Sequence, residues 1–186
     1  MNLDLLDHVV RLLWMLIMTV WLALAFESNE PVVKRDRRSN VAVWIVSIGW
    51  VVLLLNRFNG AQLLPRVMFV RIIGTALTIT GFAFALWARF YLGSQWDAFI
   101  SLKLRHKLVR TGPYAIVRHP IYSGFMLALV GSVLNFGHLR SLVAAMMVIL
   151  AWVYKSGLEE AFMRDRFKIE YDHYCHDVKR LIPRIW

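Results

Sequence analysis

Residues Val67 to Leu92 read VMFVRIIGTALTITGFAFALWARFYL, a long apolar run whose only charges, Arg71 and Arg89, stand near its two ends. As a helix it measures about 39 Å at about 1.5 Å per residue, against a bilayer hydrocarbon core of roughly 30 Å, so it is long enough to cross with tilt. The remainder of the 186-residue chain is built in the same way, with 59% hydrophobic and 18% charged residues and a mean hydropathy of +0.53. An ordinary soluble domain carries about a quarter charged residues. The composition therefore points to a polytopic membrane protein.

Working outward, Val41 to Leu55 is a second and shorter apolar run, short for a full span unless the helix extends into Asn56 or back into Ser39 and Asn40. Val9 to Phe26 adds a third, about 27 Å of helix by the same rise, interrupted only by Arg11 and Thr19. It is expected to be a span rather than a signal peptide, because Asp4 and Asp7 replace a positive leader and no small-x-small cleavage site follows. Arg11, like Arg71 and Arg89, is expected to snorkel to the headgroups. Downstream, Ile121 to Leu134 and Leu139 to Tyr154 flank Asn135-Phe136-Gly137-His138, a turn suited to antiparallel helices.

The expectation is an all-α integral membrane protein of about five transmembrane helices in one membrane domain, residues 1–186. Residues 1–92 supply three N-terminal spans. Residues 93–186 supply a polar segment, a helical hairpin and a cytoplasmic amphipathic C-terminal helix. Residues 27–40 read as a loop. The tail from Lys155 spaces Phe162, Phe167, Tyr171 and Tyr174 as an interfacial helix that Pro183 stops.

Net charge is +10, and 16 of the 22 Lys and Arg fall in three segments that five spans place on one side: 27–40, 93–120 and the tail. Arg57, Arg66 and Arg140 lie on the other side. The positive-inside rule puts the C-terminus in the cytoplasm and the N-terminus across the membrane. Topology thus accounts for the basic excess, and no nucleic-acid partner is expected, since such a binder needs a broad water-exposed basic face. Cys175 is alone, so there is no intramolecular disulfide and no Cys-based zinc pair. His173 with His176 lacks a third ligand, and no metal is expected. Neither a nucleotide-binding glycine loop nor a nucleophile elbow occurs.

The scarce polar residues cluster twice. His106 to Tyr114 and Arg118 to Gly124 stand at the entrance of the hairpin, and Lys155, Glu159, Glu160 and Arg164 stand at its exit. An antiparallel hairpin brings entrance and exit together. Histidines, tyrosines, bases and a carboxylate pair at a membrane surface suit a zwitterionic ligand with an aromatic portion. The same residue types also serve as headgroup anchors and an aromatic belt.

The order His106-Lys107-Leu108-Val109, Gly112-Pro113-Tyr114, Arg118-His119-Pro120-Ile121-Tyr122-Ser123-Gly124, Glu159-Glu160, Phe167-x-x-x-Tyr171-x-x-Tyr174 and Ile182-Pro183 resembles the isoprenylcysteine carboxyl methyltransferase family, and in part the related phospholipid methyltransferases. The resemblance implies an S-adenosylmethionine-dependent enzyme with its cofactor between the hairpin and the C-terminal segment. By position, His106, Lys107, Leu108 and Val109 would line the adenosine side. Tyr114, His119, Pro120, Ile121 and Tyr122 would surround the methionine part, with Glu159 facing its ammonium group. Arg118 and Glu160 are expected to be catalytic. Where the family places a substrate-binding arginine one turn before the first glutamate, this chain has Lys155, which keeps the charge without the bidentate fork. Where many members have a Gln upstream of the histidine, it has Phe99, with Gln95 nearby.

A carboxylate acceptor is already ionised at pH 7 and needs no base, whereas an amine acceptor would need Glu160 or His119 to remove a proton. The expected partners are the lipid bilayer and a lipophilic, prenylated or small-molecule acceptor. Two other readings share the resemblance: a phospholipid or amine N-methyltransferase, and an NADPH-dependent sterol or steroid reductase using Arg105, Lys107 and Arg110.

Overall fold

The computed structural model describes residues 3–25, 32–35, 38–54, 61–97, 101–103 and 108–186. In chain order the elements are α1 (Leu3–Ala25), β1 (Val32–Arg35), α2 (Ser39–Leu54), α3 (Met68–Leu92), β2 (Ser101–Lys103), α4 (Pro120–Phe136), α5 (Leu139–Phe167) and α6 (Ile169–Asp177). Three stretches, Asp4–Leu24, Met68–Gln95 and Leu139–Phe167, are long and apolar enough to cross a membrane. The helices α2 and α4 are apolar but shorter, and α2 does begin at Ser39.

Burial is arranged as lipid requires. Leu12, Leu16 and Leu22 of α1, Trp44, Ile48 and Val51 of α2, and Phe69, Ile79 and Phe90 of α3 face outward, exposed. The interior instead holds Arg71, Thr78, Arg89, Ser132 and Asn135. Hydrophobic attraction between helices is weak when the solvent is itself apolar, so close packing and polar contacts must hold them.

The tightest contact is between α3 and α4. A Cβ added at Gly74 would stand 2.6 Å from the Gly131 carbonyl oxygen, and one added at Gly124 would stand 2.6 Å from that of Gly81. Reciprocal small residues thus let the two backbones touch. Thr78 on the same seam lies 3.5 Å from the Ser132 hydroxyl, which accepts the Trp14 indole N–H at 2.8 Å and ties in α1. Gly49 of α2 makes a similar close approach to Val148 of α5.

The turn after α4 is tighter than expected: α4 runs on through Asn135 to Phe136, Gly137 takes the left-handed conformation at φ 67, and His138 stands at the position before α5. Three expectations change. The all-α reading omits an antiparallel ribbon in which Lys34 pairs with Leu102 and Arg35 with Ser101, joining two segments that read as loops. Pairing between strands so distant in sequence leaves no local periodicity to read. The charges in the apolar runs do not reach outward. Arg71 pairs with Asp7 at 3.0 Å, Arg89 donates to the Leu24 carbonyl at 2.6 Å, and Arg11 donates to the Leu54 carbonyl at 3.1 Å. The expected hairpin forms, with α4 packed more extensively on α3 than on α5. Finally, Tyr171 and Tyr174 are buried, not interfacial, because α5 continues to Phe167 and the chain then reverses at Lys168, φ 49, into α6.

Gly74→Val is expected to destabilise the protein by several kcal/mol, roughly 2–4, because its branched side chain must displace α4 backbone. Ile79→Val, on the exposed face of the same helix, should stay within about 0.5 kcal/mol. Thermal unfolding in detergent compares the two.

Candidate functional site

The two polar clusters meet. Pro120 sits at the first turn of α4, where its missing N–H leaves no bond unmade, and it sets His119 just ahead of the helix. On the polar last part of α5, beyond its apolar run, one helical step separates Glu159 from Glu160, so the two carboxylates diverge around whatever lies between them. His119 lies there. Its Nδ1 is 3.2 Å from Glu159 Oε2 and its Nε2 is 3.4 Å from Glu160 Oε1.

Each carboxylate has further partners. Glu160 accepts from Arg118 Nε at 2.8 Å and from its terminal nitrogen at 2.6 Å, with Arg180 at 3.4 Å and Arg164 at 3.8 Å. Arg118 also donates to the carbonyls of Cys175 and Val178. Glu159 accepts the Tyr122 hydroxyl at 2.6 Å and has the Lys155 ammonium at 3.7 Å. Burial opposes ionisation of both acids. Hydrogen bonds from His119 and Arg118 outweigh it at Glu160, whose pKa falls to about 2. Those of His119, with the charge of Lys155, also bring Glu159 down. Burial pulls His119 toward neutrality, and the two carboxylates reverse that and raise it. The cluster is a charged one at neutral pH.

A third segment fastens it. The backbone N–H groups of Arg118 and His119 donate to the carbonyls of Lys179 at 2.8 Å and Arg180 at 3.1 Å, and the Ser123 hydroxyl donates to that of Leu181 at 2.6 Å. Tyr174 donates to the Tyr114 carbonyl at 2.6 Å.

Two cavities adjoin the cluster. The outer one, about 160 Å³, is bounded by Leu108, Val109, Tyr114, His119, Tyr122 and Glu159. The inner one, about 400 Å³, lies among α1, α2, α4 and α5 and is walled by Trp21, Val46, Trp50, Phe125 and Trp152, with Lys155 at its polar end. The larger chamber is the more apolar. Trp96, Asp97, Ile121 and Tyr122 belong to both, so the chambers share a wall. Tyr122 stacks between His119 at 5.6 Å and Trp152 at 5.7 Å, and Lys155 stands 5.6 Å above its ring.

Of the residues singled out in the sequence, Gln95, Leu108, Val109, Tyr114, Arg118, His119, Pro120, Ile121, Tyr122, Glu159, Tyr171 and Tyr174 line the outer cavity. Lys155 lines the inner one. Glu160 is not among the lining residues. His106, Lys107, Arg105 and Phe99 lie outside the described residues. Sequence reasoning misses Trp96 and Asp97, and also Phe162 and Met163 as outer-wall residues, although Phe162 carries the apolar face of α5 one turn beyond Glu159. Among the described residues no group of three His, Cys, Asp or Glu side chains is placed to hold a metal ion.

Comparison with known proteins gives the family. The phospholipid methyltransferase family profile matches residues 69–170, from α3 through the start of α6. A probable protein-S-isoprenylcysteine O-methyltransferase of Oryza sativa subsp. indica is 30% identical over 138 residues, covering 71% of this chain and 72% of the relative. Protein-S-isoprenylcysteine O-methyltransferase B of Arabidopsis thaliana is 33% identical over 79 residues, 42% of this chain and 40% of the relative. The cobalt-zinc-cadmium resistance protein CzcN of Cupriavidus metallidurans is 25% identical over 154 residues, 80% of this chain and 65% of the relative.

The cluster makes stability depend on pH at both ends. Glu160 titrates lower in the folded chain than its usual 4.5, so its contribution is present above that value and is lost as pH falls toward about 2. His119 titrates above its usual 6.5, so its contribution is complete below that value and is lost as pH rises through the folded value. The melting midpoint in detergent is expected to fall on both flanks, with Glu160→Gln flattening the acid flank and His119→Asn the alkaline one.

Proposed function

The chain belongs to the isoprenylcysteine carboxyl methyltransferase family, a family of membrane methyltransferases, and from that premise we propose that it methylates the carboxylate of an isoprenylcysteine-like acceptor using S-adenosylmethionine. The observation that carries this reading is the pair of chambers with one shared wall, polar and carboxylate-bearing outside, apolar and aromatic inside.

The outer lining suits the cofactor. Glu159 offers a carboxylate to an ammonium group, Tyr114 and His119 bring polar groups, and Leu108, Val109 and Ile121 leave the remaining wall apolar for an aromatic base. When bound there, S-adenosylmethionine supplies an electrophilic methyl group. The chain does the positioning. Lys155 sits where the inner chamber meets the shared wall and holds an acceptor carboxylate by charge, while Trp50, Phe125 and Trp152 enclose a lipophilic chain and exclude water. Arg118 and Glu160 act by holding His119 and the C-terminal segment in place, since Glu160 is engaged by three arginines.

Acid and base equipment separates the alternatives. An amine acceptor needs a proton removed, but Glu160 is held near pKa 2 and is a poor base at neutral pH, and both ring nitrogens of His119 face carboxylates rather than an acceptor. A carboxylate acceptor needs neither. For the reductase reading, Arg110 is paired with Glu170 at 3.4 Å, and Arg105 and Lys107 lie outside the described residues.

The five helices α1 to α5 each pass through the bilayer in this reading, the shorter α2 and α4 included. The chain works as one membrane domain, with the C-terminus and the cofactor cavity on the cytoplasmic side and the N-terminus opposite, following the basic-residue bias.

Methyl-labelled cofactor should yield a base-labile methyl ester on a farnesylated or geranylgeranylated cysteine. Lys155→Met should lower kcat/KM for that acceptor about 10- to 100-fold, equivalent to roughly 1.4–2.7 kcal/mol, and Lys155→Arg should retain activity. Base-stable label in amine-headgroup lipids, with none on the prenylcysteine, would overturn the proposal.

A further inference from the structure

At the other end of the bundle a second charged cluster serves no part of this chemistry. Arg11 of α1, Arg66 and Arg71 at the start of α3, and Arg140 in the first turn of α5 gather around Asp4 and Asp7. The acids are already used. Arg66 pairs with Asp4 at 2.6 Å, and Arg71 pairs with Asp7 at 3.0 Å, with Arg66 reaching Asp7 at 3.7 Å. Four arginines thus share two carboxylates: Arg11 also feels the charge of Asp7, and Arg140 has no acid beside it among the described residues. Arg11 lies 4.8 Å above the Phe136 ring and, among the described residues, donates to a single carbonyl, that of Leu54. All three guanidinium nitrogens of Arg140 are buried with no hydrogen-bond partner among the described residues, and Arg140 meets the like charge of Arg11.

That arrangement is unfavourable as it stands. A buried guanidinium without partners forfeits its hydration, a second cation beside it adds repulsion, and the first turn of a 29-residue helix carries the positive end of the macrodipole. His138 does not relieve it. Burial, and then the charge of Arg140, lower its pKa, and its Nδ1 is also buried without a partner among the described residues. Each of these penalties is reversed when an oxyanion is present, and a tetrahedral one matches several N–H donors at once.

We propose that Arg140 and Arg11 form an oxyanion site, taking a phosphate group at the end of the bundle opposite the methyl-transfer cavity. Arg140 and Glu159 stand about 28 Å apart along one helix at about 1.5 Å per residue, so this site lies at the depth of the other leaflet's headgroups. A phosphate there comes on an anionic phospholipid headgroup or as the free ion. The site is independent of what the cytoplasmic cavity methylates.

The test uses the full chain purified in maltoside detergent, with two probes: phosphatidylglycerol added to the micelles and inorganic phosphate in the buffer, with phosphatidylcholine as the reference lipid. The wild-type melting midpoint is expected to rise with a probe. A rise with phosphatidylglycerol alone identifies a lipid-borne phosphate, and a rise with both identifies a site open to the free ion. Arg140→Met should remove that rise, weaken probe binding at least about tenfold, and raise the midpoint in probe-free detergent, because an uncompensated charge has gone. Arg11→Gln makes the same comparison if Arg140→Met does not purify folded. A wild-type midpoint unmoved by either probe, or a rise that persists in the variants, would overturn the site.

Discussion

The structure around the site depends on one imidazole held between two consecutive carboxylates. His119 precedes α4, whereas Glu159 and Glu160 stand far along α5, and only the Gly137 turn and the antiparallel return of the chain bring them within 3.2 and 3.4 Å. Because adjacent helical residues diverge, the pair cannot both face one cavity. Glu159 lines the outer chamber, and Glu160 gathers Arg118, Arg164 and Arg180. One acid is thereby available for ligand chemistry while its neighbour fixes the frame, and His119 couples the two.

The same division runs through the membrane region. A bilayer offers helices little hydrophobic reason to associate, so the chain places its few polar residues inside. Thr78, Ser132 and the Trp14 indole tie α1 to the α3–α4 seam, and Arg71 and Arg89 are each anchored to α1. Aromatic rings then lead from the seam to the site. Trp14 stacks with Phe125 at 6.1 Å, Phe125 with Trp152 at 5.6 Å, and Trp152 with Tyr122, which carries the Glu159 hydrogen bond. The wall of the inner chamber and the support of the outer one are therefore the same residues.

Much of this is legible in the sequence. Hydropathy places α3 to within one residue, because an apolar run of that length has few other fates, and the turn between α4 and α5 follows from turn chemistry, although it is confined to Gly137 and His138 while Asn135 and Phe136 stay helical. That turn makes Arg118, His119 and Glu159 neighbours before any coordinates. The α3–α4 seam is not legible, since Gly74, Gly81, Gly124 and Gly131 look like ordinary small residues in apolar runs, and their meaning lies in which helix they face. Nor is the burial of Tyr171 and Tyr174, whose spacing suits an interfacial face as well as a buried one until the reversal at Lys168 turns them inward. The arginines in the apolar runs mislead for a related reason: proximity to a helix end allows snorkelling, but partners on other helices decide the outcome. Trp96 and Asp97 follow a tight turn after α3 that carries no signature of its own.

In the proposed reaction Glu159 presents its carboxylate to S-adenosylmethionine in the outer chamber. Calorimetric titration of the detergent-purified protein with S-adenosylhomocysteine, with NADPH as the competing ligand, tests it most directly. Saturable binding of S-adenosylhomocysteine is expected, with none of NADPH, and at least about a tenfold loss of affinity in a folded Glu159→Ala variant. Binding of NADPH in its place, or an affinity for S-adenosylhomocysteine that Glu159→Ala leaves unchanged, would contradict it.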